Sequence, residues 1–220
     1  MAIKLPALKS KYLLPVVFVA VFAGSRIPGL LPSNFSAAYA LMFCAGVYFR
    51  GPLAWWLPLG VMLATDVGLD VYYSLHGVSV WDLPDLENQL FNYAAFAVLI
   101  LLGRRFQNRP SFFKLVSGGL LGAILFYVIT NTASWLFNPF HNPEYTKSLA
   151  GWILALTKGT GGYPTTLEFF RNTLLSGGLF TALFAAAEKL AAESPADKTA
   201  GARAPEAEAE TEAEPEEAKA

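Results

Sequence analysis

Asp66 and Asp70 stand four residues apart in a long apolar stretch, and Tyr73 follows three positions later, so a helix places all three on one face. Carboxylates in such a setting are costly and face a protein interior or a water-filled cavity, where they bind cations, accept hydrogen bonds or take up protons. The same spacing puts Tyr127, Asn131 and Trp135 on one face of another apolar stretch. Asn88 and Asn92 open a third, Arg171 and Asn172 a fourth, and Asn34 stands at the head of a fifth. Asn34, Asp66, Asp70, Asn92, Asn131, Trp135, Arg171 and Asn172 are therefore the candidate residues for binding a small polar solute. Each also has a plain structural reading. Asp66 could pair with Arg171, Asn131 could hydrogen-bond between helices, and Trp135 and Trp152 could sit at a membrane boundary. His76 and His141 fall in different connections and read as loop residues. The further aspartates of metal-dependent membrane transferases are missing, so no metal site is expected.

The elements that must position these residues are apolar helices. Hydrophobic residues make up 54% of the 220 positions and charged residues 15%, and the mean hydropathy is +0.40, which disfavours a soluble domain. Apolar stretches cover residues 12–24, 35–49, 53–73, 90–103, 112–137 and 167–190. Read as crossings, they predict an all-α, polytopic membrane bundle of six transmembrane helices over residues 1–190. The first two are short for a bilayer core and need flanking residues to complete the crossing. Residues 149–156 are too few to span, and with Trp152 they read as a helix lying at the interface. Gly118-xxx-Gly122 and Gly178-xxx-Ala182 suit close helix packing.

Charge sets the orientation. With the amino end inside, nine bases fall on the inner side (Lys4, Lys9, Lys11, Arg50, Arg104, Arg105, Arg109, Lys114 and Lys189) against four outside (Arg26, Lys147, Lys158 and Arg171). That bias predicts both termini in the cytoplasm. A cleaved secretory signal ending near Ala23 is the competing reading of the start, and it leaves five spans. Residues 191–220 hold nine acids and three bases, and their Ala, Glu and Pro composition predicts a disordered acidic cytoplasmic tail. The overall charge is −1, so the rest of the chain carries about +5 against anionic lipid headgroups. Cys44 is the lone cysteine and forms no internal disulfide.

In this topology every candidate polar residue lies in the outer half of its span, and the inner halves are apolar. The pattern predicts a pocket open to the outside over a closed floor, with the Gly- and Pro-rich residues 24–32 as a compact loop over its mouth that also supplies Arg26. A continuous pore needs polar lining through both halves, which disfavours a channel. No Walker motif, phosphate loop, zinc signature or nucleophile triad occurs, so no cofactor, no ATP hydrolysis by this chain and no nucleic-acid partner are expected.

The stretches Ile129-Thr-Asn-Thr-Ala-Ser-Trp135, Phe169-Phe-Arg-Asn-Thr-Leu174, Ala64-Thr-Asp66 and Pro32-Ser-Asn-Phe35 resemble an uncharacterised family of bacterial six-span membrane proteins, over residues 12–190. In plan that family is similar to the S components of energy-coupling factor (ECF) transporters. Those capture vitamins or metal ions in an outward pocket beneath the first loop, and work with a membrane coupling subunit and two cytoplasmic ATPases. Ala20-xxx-Gly24 stands nearest to the Ala-xxx-Ala coupling patch that S components carry. The resemblance implies a substrate-binding subunit of the bacterial inner membrane that takes up a small polar solute. A membrane enzyme acting on a lipid-linked substrate at the outer leaflet, with Asp66 or Asp70 as base, is the alternative. A scaffold that gathers membrane partners through its tail is the third reading.

Overall fold

A computed structural model describes residues 10–108 and 110–192; the acidic tail expected at 191–220 falls almost wholly outside the described residues. Among the described residues there are seven α-helices and no strands: α1 (Ser10–Ser25), α2 (Ala38–Tyr48), α3 (Leu53–Leu75), α4 (Leu83–Arg104), α5 (Phe112–Phe137), α6 (Leu149–Thr157) and α7 (Thr166–Ala192).

The bundle is organised around α2. Its residues from Ala38 to Val47 are all buried, and α2 packs against α4, α7, α3 and α5. A helix that is apolar on every side has no face to give to water, so it belongs at the centre. Close approach to α4 depends on a pair of glycines. A Cβ on Gly46 would lie 2.2 Å from the Ile100 carbonyl oxygen, and a Cβ on Gly103 would lie 2.0 Å from that of Phe43. Gln107 then donates from Nε2 to the Gly46 carbonyl at 2.9 Å, closing the end of α2. Glycines bring α5 and α7 together as well, since a Cβ on Gly119 would meet the Thr181 side chain and one on Gly177 would meet Ala123. Gly118 faces Phe43 and Phe106.

Helix starts follow local chemistry more than hydropathy. Asp82 accepts from the Asp85 amide at 3.0 Å and Pro84 fits the first turn, so α4 begins at Leu83, seven residues before the apolar stretch at 90–103. Ser111 caps α5, and Asn138 ends it with φ 48, which reproduces the expected 112–137. Thr165 and Glu168 form a reciprocal cap ahead of α7, with the Thr165 amide donating to Glu168 Oε2 at 2.8 Å and the Glu168 amide to Thr165 Oγ1 at 3.3 Å. Outside the core, α6 packs on α5 and α7, and Trp152 Nε1 donates to Thr132 Oγ1 at 2.9 Å.

The six-span expectation meets a stricter result. Among the described residues two helices, α4 and α5, are long and apolar enough by themselves to cross a membrane. With 23 and 27 residues, α3 and α7 are comparable in length. The 16 residues of α1 and 11 of α2 are short. At 1.5 Å per residue α2 is only about 17 Å long.

Candidate functional site

Ser25, the last residue of α1, starts the construction of the site. Its hydroxyl donates to the Phe22 carbonyl at 2.8 Å and accepts from the Ala37 amide at 3.0 Å. One side chain thus pins both ends of the α1–α2 connection. Between these ends the chain turns on Gly29, with φ 77, and Asn34, with φ 60, a left-handed conformation that asparagine tolerates better than most residues. Two further ties hold the connection down. Arg26 forms an ion pair with Asp66 of α3, and Asn172 of α7 donates from Nδ2 to the Ser33 carbonyl at 2.9 Å.

Beneath the connection lies a cavity of about 560 Å³. Its walls come from the later residues of α3 and α5 and the earlier residues of α2 and α4, so it sits at one end of the bundle. Asn34, Asn88, Asn92, Asn131, Thr130 and Ser134 supply much of its polar lining. Phe96, Phe126 and Tyr39 supply aromatic surface, with the Phe96 and Phe126 rings stacked at 4.9 Å. Towards the other end the packing is apolar, with Phe18, Phe43, Leu99, Ile100 and Phe184 fully buried. Two smaller chambers adjoin the first. One of about 320 Å³ shares Arg26, Asn88 and Asn92 with it and adds Asp66, Asp70 and Asp85. The other, about 420 Å³, shares Asn131 and Ser134 and runs between α5 and residues 140–169. Burial, and after it the Glu144 carboxylate, pushes the Tyr145 phenol of that chamber above its ordinary range. It stays protonated at neutral pH, ready to donate.

Both oxygens of Asp66 are engaged: Oδ1 takes the Arg26 guanidinium, and Oδ2 accepts the Tyr93 hydroxyl at 2.8 Å. Arg26 is less completely served. Nη2 meets Asp66, Nη1 reaches only the Met62 thioether at 3.6 Å, and Nε is buried with no partner. Its guanidinium carbon also stands 5.7 Å over the Phe22 ring.

A family model described as a family of unknown function, DUF6580, matches residues 6–199. The chain belongs to that family. No curated protein and no solved structure matches it.

Of the eight candidate residues, this DUF6580 chain gathers five around the joined chambers: Asn34, Asp66, Asp70, Asn92 and Asn131. Asn131 lines the cavity although its Nδ2 is given to the Tyr127 carbonyl one turn back, at 2.8 Å. The other three lie elsewhere. Arg171 is exposed and lines none of the three chambers; the partner of Asp66 is Arg26 instead. Trp135 donates to the Thr146 carbonyl at 2.7 Å, with Lys147 Nζ 5.6 Å over its ring, and so organises the segment after α5. Asn172 holds the covering connection from behind. Ser25 and Tyr93 are not among the sequence candidates. A serine in a helix end and a tyrosine in an apolar stretch carry no signal of their own there, because their roles exist only through partners 12 and 27 positions away.

Proposed function

We propose that this protein is a substrate-binding integral membrane subunit for uptake of a small polar solute, captured under the α1–α2 connection. The cavity of about 560 Å³ carries the reading: it is polar on its walls, sits at one end of the bundle and lies over apolar packing. Its size falls in the range that encloses small-molecule ligands.

Membrane placement is supported by what the helices expose. Trp56 is 77% exposed and Phe113 81%, and exposed apolar stripes run through Leu63, Val67 and Val71 of α3, Leu121, Ile124 and Val128 of α5, and Leu175, Leu179 and Leu183 of α7. Surfaces of that extent belong against lipid or a partner. In this reading α1, α2, α3, α4, α5 and α7 make six crossings in the bacterial inner membrane. The short α2 is tolerated because protein surrounds it, which shelters the irregular backbone at its ends from lipid. The nine-to-four bias of basic residues puts both termini in the cytoplasm and the cavity outside. Uptake is driven by partners, as the plan of ECF S components implies: a membrane coupling subunit with cytoplasmic ATPases.

Purification in a mild detergent, followed by mass spectrometry of released small molecules and uptake assays of the identified solute in cells with and without the gene, tests the reading. A stoichiometric polar solute whose uptake requires the protein is the expected result. A protein that binds no solute and whose loss changes no uptake sinks it.

A further inference from the structure

At the end of the bundle opposite the cavity, a groove of about 310 Å³ runs along α5, lined by Phe106, Phe113, Lys114, Ser117, Gly118 and Leu121. It is charged at one end and apolar beyond it. Phe113, 81% exposed, and Lys114 stand in the first turn of α5, and Leu121 lies about 12 Å further along the axis than Phe113. Phe106, whose ring packs edge-on against Phe43 at 5.3 Å, forms the wall that follows the end of α4.

Basic side chains crowd the charged end. Arg104 and Arg105 close α4 immediately before Phe106, and both are exposed, as is Lys114. Arg50 reaches the same connection, donating from Nη1 to Gln107 Oε1 at 3.4 Å. Among the described residues none of these four forms an ion pair. Glu188 of α7, set level with the start of α5 by the contacts of Gly119 with Thr181 and Gly177 with Ala123, pairs with none of them. Lys114 also lies in the first turn of its helix, where a positive charge is unfavourable unless an anion stands beside it.

Charge and shape together name the occupant. A basic rim over an apolar groove that runs towards the middle of the bundle matches a phospholipid, with its phosphate at the rim and an acyl chain below. Basic pockets on the cytoplasmic side of membrane helices hold such headgroups. We propose that the groove binds one anionic phospholipid of the cytoplasmic leaflet, its phosphate held by Lys114, Arg104 and Arg105 and one acyl chain laid along α5 from Phe113 to Leu121. The site rests on the membrane placement proposed above and not on the identity of the solute. A soluble phosphate leaves the apolar groove empty. Residues 193–220 are acidic as well, but alanine and proline are their only apolar side chains, and they leave it unfilled too.

The test is native mass spectrometry of the full-length protein in detergent, titrated with phosphatidylglycerol, with phosphatidylcholine of the same acyl chains, and with glycerol phosphate. One phosphatidylglycerol should bind at least tenfold more tightly than phosphatidylcholine, and glycerol phosphate should not bind. Lys114→Gln and Arg105→Gln, both at exposed positions, should each weaken phosphatidylglycerol about fivefold and together remove its preference. Ser117→Trp fills the groove without altering a charge and should weaken both lipids by tenfold or more. Deleting Ser194 to Ala220 should leave lipid binding unchanged. Equal binding of the two lipids, a preference that survives the double variant, a Ser117→Trp protein that binds as the parent does, or glycerol phosphate binding as tightly as lipid overturns the site. So does a tenfold gain on deleting the tail, which marks the tail as the occupant. Extraction with alkaline carbonate separates the two levels: a chain released from membranes refutes the membrane placement and the site with it, whereas a retained chain without lipid preference refutes the site alone.

Discussion

Asp66 is a buried carboxylate on an apolar helix, with one oxygen on Arg26 and the other on Tyr93. A carboxylate in an apolar stretch needs a partner, and that much was legible from its type and setting. Which arginine supplies it was not: Arg26 and Arg171 are 40 and 105 positions away, and only the path of the α1–α2 connection brings the nearer one to α3. The pair is mostly buried, with side-chain exposures of 17% and 8%. Replacing Asp66 with alanine should therefore destabilise by about 3–5 kcal/mol, because the Arg26 charge is stranded. The double variant Asp66→Leu, Arg26→Met should recover most of that loss, while Arg171→Ala, at an exposed position, should change stability by less than about 0.5 kcal/mol. Denaturant unfolding in detergent, followed by tryptophan fluorescence, ranks the three; a large effect of Arg171→Ala overturns the assignment. Tyr93→Phe removes one hydrogen bond to a charged acceptor and should cost about 1.5–3 kcal/mol in the same assay.

Among the elements, α5 was readable to the residue because its hydropathy limits coincide with the Ser111 cap and the Asn138 stop. The start of α4 lies seven residues ahead of its apolar stretch, since its first turns are polar and the capping aspartate and the proline lie outside that stretch. Contact between α2 and α4 is the element-scale feature most open to test. Gly46→Ala or Gly103→Ala forces a methyl group into a facing carbonyl and should cost at least about 1–3 kcal/mol. Gly68→Ala on α3 meets open space within 4 Å and should be neutral or stabilising by up to about 1 kcal/mol. Melting temperatures of the three variants decide it, and equal values show that the two backbones do not meet at those glycines.

For the whole molecule, the proposed orientation puts the cavity and the two basic ends of α4 and α5 on opposite sides of the membrane. Cys44 is fully buried, so the native protein should resist a membrane-impermeant maleimide in intact cells. Asn34→Cys should label from outside, and Arg105→Cys only after the cells are opened. Labelling of Arg105→Cys in intact cells reverses the orientation. A reporter fused to the carboxyl terminus gives an independent reading, active only in its cytoplasmic form.

The sequence alone determined the helical class, the apolar stretches and the residue types that are costly in apolar surroundings, because these depend on composition and on the local period of the chain. It also marked one end of the bundle as polar, since Asn34, Asp66, Asp70, Asn92 and Asn131 fall at corresponding ends of their segments. Tertiary structure alone decided that α2 is the central helix, that Asp66 pairs with Arg26, and that Trp135, Arg171 and Asn172 stand away from the cavity walls. The physical reason is rotation. Spacing along a helix reports which residues share a face, but the direction that face takes is set by packing contacts such as Gly46 against Gly103, between segments more than 50 residues apart.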